Sequence, residues 1–131
     1  MNEKAQKDIE FKIDRNGVWY HEGAPIKREA LAKLFSDRAL KIDENGLYWL
    51  QTPFEKYPVD VEDVPFVVVD YKEQGDTLIF RTNMDETTDR PLEMREEIPY
   101  VEVRNGLYAR INRAVYYNLI EAFGPEILKN K

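Results

Sequence analysis

The chain offers few side chains that could act as a nucleophile or a general base. It contains a single histidine, His21, a single serine, Ser36, and no cysteine. A Ser-His-Asp triad would require these two residues to meet, and the Gly-x-Ser-x-Gly turn that exposes the nucleophile of many hydrolases is absent. We therefore assign no catalytic residue, and we expect His21 to lie at the surface or in a turn.

Metal binding is restricted in the same way. With one histidine and no cysteine, the sequence allows only an all-oxygen site of the kind that suits Ca²⁺ or Mg²⁺. The carboxylates of 85–89 cluster, but their spacing is not that of an EF-hand. We predict a solvated acidic loop, with no metal site and no cofactor. Paired carboxylates elsewhere leave a small carboxylate-dependent hydrolase as the last alternative.

Aromatic and basic side chains could hold a ligand without a glycine-rich phosphate loop, and neither a Walker motif nor Gly-x-Gly-x-x-Gly is present. Two adjacent aromatic pairs, Trp19 with Tyr20 and Tyr48 with Trp49, follow predicted turns. Neighbours on a strand point to opposite faces, so one member of each pair must point away from the face that its hairpin buries. These rings would either stack on a nucleotide-like ligand or cover a second interface.

The segment 52–56 is the strongest candidate for a ligand site, because it is predicted to connect two units and clefts between domains are preferred binding sites. Lys56 would meet a phosphate, and Glu55 would accept a hydrogen bond from a ribose or base; the alternative is an internal ion pair that locks the two units. Arg81 and Asn83 add polar groups at a strand end, with capping of that end as the alternative. The predicted ligand-binding residues are Trp19, Trp49, Thr52, Glu55, Lys56, Arg81, Asn83 and Arg104.

Composition limits the class of protein. At 131 residues the chain forms one domain or two very small ones, and its net charge of −6 argues against general nucleic-acid binding. Basic residues are nevertheless in excess over 24–41 and 100–131. The most apolar run, 64–69, is far shorter than the roughly 20 residues that span a bilayer, and 1–8 lacks the apolar region of a secretion signal. We therefore expect a cytoplasmic protein without a membrane segment.

Three Asn-Gly dipeptides, at 16–17, 45–46 and 105–106, each precede an aromatic residue and predict β-hairpins. A type I′ turn requires positive φ at both central residues, which Asn and Gly tolerate best. Apolar residues at helical spacing follow the first and third hairpins, and they predict helices through Phe35 and over 113–123, the second capped by Asn112. We interpret this as a duplicated hairpin–helix motif.

The resulting prediction is an α+β fold of two units. A small ββαββ unit covers 9–51, and 52–131 forms an antiparallel β unit capped by the C-terminal helix, either as a pleckstrin-homology-like barrel or as a curved sheet. Pro53 and Pro58 exclude a helix around them and disfavour a central strand, so 57–61 is predicted as a short edge strand. The β-branched run over 67–69 predicts a strand that is buried on both faces.

The combined pattern of motifs resembles the bacterial domain-of-unknown-function 1285 (DUF1285) family over about 10–123. The sequence departs from that pattern at Arg90, where a histidine is expected before Pro91, and at Phe54, where a smaller aliphatic residue is usual. The matching segments are 16–20, 23–26, 48–56, 61–66, 80–83 and 99–107.

The resemblance implies a small N-terminal domain and a larger C-terminal domain, built from repeated motifs. It also implies a nucleotide-like ligand at the interface between the domains and a role in signal transduction. Together with the basic and aromatic residues, it makes a non-enzymatic module that binds a nucleotide-like or phosphorylated small molecule the leading hypothesis. A protein-interaction or homodimerisation module without a small ligand is the alternative.

Overall fold

The computed structural model describes residues 11–26 and 39–124, and the chain divides into two compact units, Met1–Pro65 and Phe66–Lys131. From the sequence, the boundary was predicted between residues 51 and 52. The structure places it later because the strand Lys56–Val61 pairs with two strands of the first unit. The described residues are mostly β, with one described helix near the C-terminal end, whereas an α+β fold was predicted. The helix predicted through Phe35 lies outside the described residues.

The first unit contains one curved six-stranded sheet. Its strands are β1 Phe11–Ile13, β2 Trp19–His21, β3 Ala24–Pro25, β4 Leu40–Ile42, β5 Tyr48–Gln51 and β6 Lys56–Val61. Their spatial order is β3-β2-β1-β6-β5-β4, and all neighbours are antiparallel except β1 and β6, which run parallel. The predicted edge strand is therefore a central strand, since β6 lies between β1 and β5.

The second unit contains a second six-stranded sheet followed by a helix. Its elements are β7 Phe66–Gln74, β8 Thr77–Thr82, β9 Thr87–Thr88, β10 Leu92–Arg95, β11 Ile98–Arg104, β12 Leu107–Ile111 and α1 Arg113–Phe123. The strand order is β10-β11-β12-β7-β8-β9, and here the parallel pair is β12 with β7.

Both sheets have the same topology. Each consists of two three-stranded antiparallel meanders, and the first strand of the first meander pairs in parallel with the last strand of the second. The repeat in the structure is therefore a six-stranded sheet. When the two sheets are aligned, the third Asn-Gly turn, between β11 and β12, corresponds to the turn between β5 and β6, and not to the first hairpin, as the duplicated hairpin–helix motif predicted.

All three Asn-Gly dipeptides form hairpin turns as predicted, but only the third has the predicted geometry. Asn105 and Gly106 both have positive φ, at 49° and 83°, as a type I′ turn requires. In the first two turns only the glycine has positive φ, and its N–H donates to the carbonyl of Asp14 or Asp43 three residues earlier. This is a type I turn followed by a glycine bulge, which an aspartate in the first position favours.

Alternation along the strands decides which side chains form the core of each sheet. In the first sheet Phe11, Ile13 and Trp19 are buried, while the intervening Lys12 is exposed. In the second sheet the adjacent Val67 and Val68 are both buried, so the predicted burial on both faces is confirmed for these two residues, but Val69 is 37% exposed and the prediction is wrong there. The register against β8 shifts between Val68 and Asp70, and this bulge turns Val69 outward.

Helix α1 begins and ends where its capping residues predict. The side chain of Asn112 accepts a hydrogen bond from the backbone N–H of Val115 at 2.9 Å. Gly124, at a φ of 82°, ends the helix and donates its N–H to the carbonyl of Ile120. Val115 and Leu119 are the buried positions of the helix. Among the described residues, no helix is long and apolar enough to cross a membrane.

Candidate functional site

The first sheet has one core face and one polar, aromatic face. On the polar face Tyr20 pairs with Lys12, and Lys12 pairs on its other side with Asp60. Farther along the sheet Trp49 pairs with Lys41. Because paired residues project to the same face, the sheet displays two lysine–aromatic pairs on the side opposite its core.

Two aspartates hold these two rings in the same way. Asp14 Oδ1 accepts the N–H groups of Asn16 and Val18, and its Oδ2 accepts the Tyr20 hydroxyl at 3.0 Å. Asp43 repeats the pattern: Oδ1 accepts two backbone N–H groups of its own turn, and Oδ2 accepts the Trp49 Nε1–H at 2.9 Å. The turn carboxylate thus fixes both the hairpin turn and the orientation of the aromatic side chain six residues later.

These bonds shift the pKa values of two of the groups. The hydrogen bond from Trp49, together with those from the backbone, lowers the pKa of Asp43, because the donors stabilise its charged form. The hydrogen bond to Asp14 raises the pKa of the Tyr20 hydroxyl, because that bond exists only while the phenol is protonated. At neutral pH Asp43 is therefore an anion and Tyr20 a neutral donor.

A pocket of about 400 Å³ opens beside the first hairpin. Lys12, Asp14, Tyr20 and Gly23 line it, and we call it the first-hairpin pocket. Its volume falls within the range of roughly 300–1,000 Å³ that is typical of small-molecule sites. Among the described residues, no atom lies within 4 Å of the position that a Cβ on Gly23 would take.

A second cluster, which we call the second-hairpin site, surrounds Trp49. The Lys56 ammonium lies 4.4 Å from the centroid of the Trp49 ring, a cation–π contact. Lys41 stands opposite Trp49 on the edge strand β4, and Asp43 holds the indole N–H. The cluster therefore combines two exposed ammonium groups with a half-buried indole whose orientation is fixed.

The predicted connector 52–56 is a hairpin turn within the first sheet, so the prediction that it joins two units is wrong. Gln51 pairs with Lys56, and the Thr52 N–H donates to the carbonyl of Glu55 at 2.8 Å. The Thr52 hydroxyl accepts the N–H groups of Phe54 and Glu55. Thr52 is thus a turn-forming residue, as hydroxyl side chains commonly are.

The two remaining predicted residues of the first unit, Trp19 and Glu55, lie on different parts of the sheet. Trp19 is 2% exposed and belongs to the core, whereas its neighbour Tyr20 projects to the polar face. The buried Trp19 ring therefore offers no surface on which a ligand could stack. The Glu55 carboxylate accepts a hydrogen bond from the Tyr57 hydroxyl, which raises the pKa of Tyr57. The structure thus brings together Trp49, Thr52, Glu55 and Lys56 on one hairpin and leaves Trp19 on the opposite face.

The three predicted residues of the second unit make internal contacts. Arg81 lies between the carboxylates of Asp70 and Asp85, at 3.3 and 3.0 Å. The side chain of Asn83 accepts the N–H of Val67 at 3.1 Å, so it extends the pairing at the end of β8. Arg104 donates its Nε–H to Glu86 at 2.6 Å. These contacts agree with the alternative of strand-end capping for Asn83.

The described residues contain no group of three or more His, Cys, Asp or Glu side chains that could hold a metal ion. His21 is exposed, and its imidazole stacks on Phe11 with ring centroids 4.8 Å apart. Its position at the end of β2 agrees with the prediction of a surface residue.

Lys12, Asp14, Lys41 and Asp43 were not predicted as site residues. The signal was present in the sequence: Lys-Ile-Asp-x-Asn-Gly-x and two aromatics occur at both 12–20 and 41–49. The alternation of strands places the lysine and the second aromatic of each copy on one face, and the type I turn requires the aspartate. Gly23, by contrast, has no sequence signal that would place it in a pocket.

The comparisons with known proteins identify relatives of both units. A family model described as "Domain of unknown function (DUF1285), N-terminal domain" matches residues 2–64, and its C-terminal counterpart matches residues 65–131. A DUF1285 family protein from Silicibacter pomeroyi DSS-3 is 35% identical, with a TM-score of 0.77 over 87% of this chain and 69% of its own. One from Shewanella baltica OS155 is 28% identical, with a TM-score of 0.77 over 92% of this chain and 97% of its own. No curated protein matches the chain.

Proposed function

The chain belongs to the DUF1285 family, and on that premise we propose that it is a non-enzymatic module that binds a nucleotide-like or phosphorylated small molecule through the second-hairpin site. The observation that supports this proposal is the Lys56 ammonium 4.4 Å from the Trp49 ring. A planar ring with an adjacent cation offers the two contacts that a base and a phosphate require.

Trp49 would receive the ring of the ligand. Its orientation is fixed by the hydrogen bond to Asp43, so stacking costs little conformational entropy. Stacking of a base on an aromatic side chain contributes about 1–3 kcal/mol in proteins that bind single-stranded nucleic acid.

Lys41 and Lys56 would receive the phosphoryl group from the two sides of Trp49. In the structure Lys56 lies over the Trp49 ring. When a base stacks on the ring, Lys56 would exchange this cation–π contact for a contact with a phosphate oxygen. Asp43 offsets one of the two positive charges, so the site suits one phosphoryl group better than a long polyanion.

The proposed setting is regulatory. A small module of this kind would act in the cytoplasm and in signal transduction, with its second unit as a pleckstrin-homology-like scaffold. The exposed turn 52–55 beside the site would give a downstream partner access to the bound ligand.

Tryptophan fluorescence tests this proposal directly. The chain has two tryptophans, of which Trp19 is 2% exposed and Trp49 is half-buried, so Trp49 is the residue that a stacking ligand quenches. We expect adenosine 5′-monophosphate to quench the emission saturably. Adenosine keeps only the stacking contact and ribose 5-phosphate only the phosphate contact, so each should bind about tenfold more weakly than adenosine 5′-monophosphate. The variant Trp49→Phe should abolish the signal.

The lysines of the site provide the second arm of this experiment. Lys56→Ala and Lys41→Ala should each weaken binding of the monophosphate but not of adenosine. Lys72→Ala, an exposed lysine of the second unit, is the matched control and should leave both affinities unchanged. The proposal fails if neither adenosine nor guanosine monophosphate quenches Trp49, or if Lys56→Ala binds as tightly as the parent protein.

One observation favours the alternative, a protein-interaction or homodimerisation module. Phe54 is 91% exposed at the tip of the turn that Thr52 holds rigid. If the chain self-associates through this ring, its melting temperature rises with protein concentration, and Phe54→Ser removes that dependence. A flat response to nucleotides together with this concentration dependence would replace the ligand-binding proposal.

A further inference from the structure

The first-hairpin pocket presents charges of both signs. Lys12, in the middle of β1, and Asp14, directly after the end of β1, both line it. The Tyr20 hydroxyl lies beside Asp14 at 3.0 Å. The second-hairpin site differs, because the Lys56 ammonium lies over its indole ring and a second lysine, Lys41, pairs with Trp49 across the strands.

Asp14 retains the capacity to bind a ligand cation. Its two oxygens offer about four acceptor positions, and the N–H groups of Asn16 and Val18 and the hydroxyl of Tyr20 occupy three. The Tyr20 oxygen, which donates its proton to Asp14, can itself accept a hydrogen bond from a ligand. The acceptor side of the pocket is therefore already fixed in position before any ligand arrives.

The surrounding charges disfavour a purely anionic ligand. Asp60 stands opposite Lys12 on β6, and Glu62 accepts the backbone N–H of Arg15 in the same hairpin. An anion bound to Lys12 would lie close to Asp14 and Asp60. A ligand with a positive charge alone would bind Asp14 next to the positively charged Lys12, which would repel it.

From these contacts we infer that the first-hairpin pocket is a second binding site, which takes a small zwitterion with its carboxylate on Lys12 and its ammonium group on Asp14 and Tyr20. The pocket volume of about 400 Å³ accommodates a molecule of amino-acid size. Gly23 also lines the pocket and has no side chain of its own, so it leaves space for a side chain of the ligand. This site is distinct from the second-hairpin site and does not depend on nucleotide binding.

Backbone amide chemical shifts test the inference. The probes are glycine, γ-aminobutyrate and 6-aminohexanoate, which carry the same two charges at increasing separation, with butyrate and butylammonium as single-charge controls. We expect one zwitterion to cause saturable shifts at Tyr20 and Gly23. Its affinity should exceed that of either control about tenfold, because each control lacks one charge-assisted contact.

The same substitutions made in both hairpins distinguish binding at the first-hairpin pocket from binding at the second-hairpin site, which has the same sequence motif. Lys12→Gln and Asp14→Asn should each reduce the zwitterion to the affinity of a single-charge control, and Lys12→Gln leaves the turn bonds of Asp14 intact. Lys41→Gln and Asp43→Asn make the same changes in the second hairpin and should have no effect.

Three results would overturn the inference: no zwitterion shifts these amides, butyrate binds as tightly as the best zwitterion, or the second-hairpin variants weaken binding equally. Quenching of Trp49 by adenosine 5′-monophosphate in Lys12→Gln reports on the proposed function separately. Failure of either proposal is therefore distinguishable from failure of the other.

Discussion

Two arginines of the second unit, both predicted from sequence as ligand contacts, should differ sharply when replaced by alanine. Arg104 contacts Glu86 at 2.6 Å, and the two side chains are only 23% and 24% exposed. Arg81 contacts Asp70 and Asp85, but the three side chains are 45%, 60% and 55% exposed. The structure therefore makes Arg104 a stabilising residue of its unit and Arg81 a surface residue.

The exposed fractions of these side chains determine how much unfolding free energy each substitution should cost. Arg104→Ala leaves the partly buried Glu86 carboxylate without its guanidinium partner, and hydrogen bonds to charged groups contribute about 1.5–3 kcal/mol. Arg81→Ala removes ion pairs that water already screens, and such pairs contribute about 0–1 kcal/mol. With a urea dependence of about 2 kcal/mol/M, Arg104→Ala should lower the unfolding midpoint by about 1 M and Arg81→Ala by less than half of that.

Urea unfolding followed by far-ultraviolet circular dichroism measures both changes, since both tryptophans lie in the first unit and do not report on the second. In a double-mutant cycle, Glu86→Gln with Arg104→Ala should cost less than the sum of the single changes, because the two residues share one contact. If Arg104→Ala is as stable as Arg81→Ala, the exposure argument is wrong. If it keeps its stability but loses nucleotide affinity, Arg104 belongs to the ligand site.

Two further predictions concern a helix cap and a turn carboxylate. Asn112→Ala should destabilise the second unit by about 1 kcal/mol, because the N–H of Val115 loses its acceptor, while Asn112→Asp keeps the cap; urea unfolding of the three proteins compares them. Asp43 has a lowered pKa, so its stabilising contribution is present above the unfolded value of 3.8 and is lost as the pH falls through the folded value. The difference in unfolding free energy between the parent protein and Asp43→Asn should therefore shrink when urea melts at pH 7 are repeated below pH 3.8; a gap that stays constant with pH would contradict the assignment.

The local chemistry of the chain was sufficient to predict its three Asn-Gly hairpins and its described helix. Asn-Gly dipeptides mark all three predicted turns, and Asn112 with Gly124 marks both ends of α1. Adjacent aromatics also had to face opposite sides of a strand, and Trp19 and Tyr20 do so. These features depend on backbone preferences and side-chain bonds within a few residues, so a single sequence contains them.

The turn type shows where local reasoning was incomplete. Asn-Gly alone predicts a type I′ turn, and Asn105 follows that prediction. At the first two turns Asp14 and Asp43 accept backbone N–H groups and favour a type I turn with a glycine bulge instead. This aspartate, two residues before the asparagine, is visible in the sequence. The hydrogen bonds of its side chain outweigh the preference of the Asn-Gly dipeptide for a type I′ turn.

Partner choice between strands was decided only by the tertiary structure. The segment 52–56 was predicted to lie between two units, because Pro53 and Pro58 exclude a helix and disfavour a central strand. In the structure β6 pairs with β5 on one side and with β1, far away in sequence, on the other. The parallel pairs β1–β6 and β7–β12 join residues more than 40 positions apart. No local pattern specifies such a pair, because it depends on which hydrophobic faces meet once both meanders have formed.

The candidate sites follow the same division. The sequence by itself determined that lysine, aspartate and aromatic residues recur at 12–20 and 41–49, and the alternation of strands fixed which of them share a face. Only the tertiary structure decided that Trp19 is buried while Trp49 contacts Lys56, and that Gly23 helps to line a pocket with Lys12, Asp14 and Tyr20. The reason is physical: spacing assigns a side chain to a face, but the strand that pairs beside it decides whether that side chain is buried, exposed or placed at the wall of a cavity.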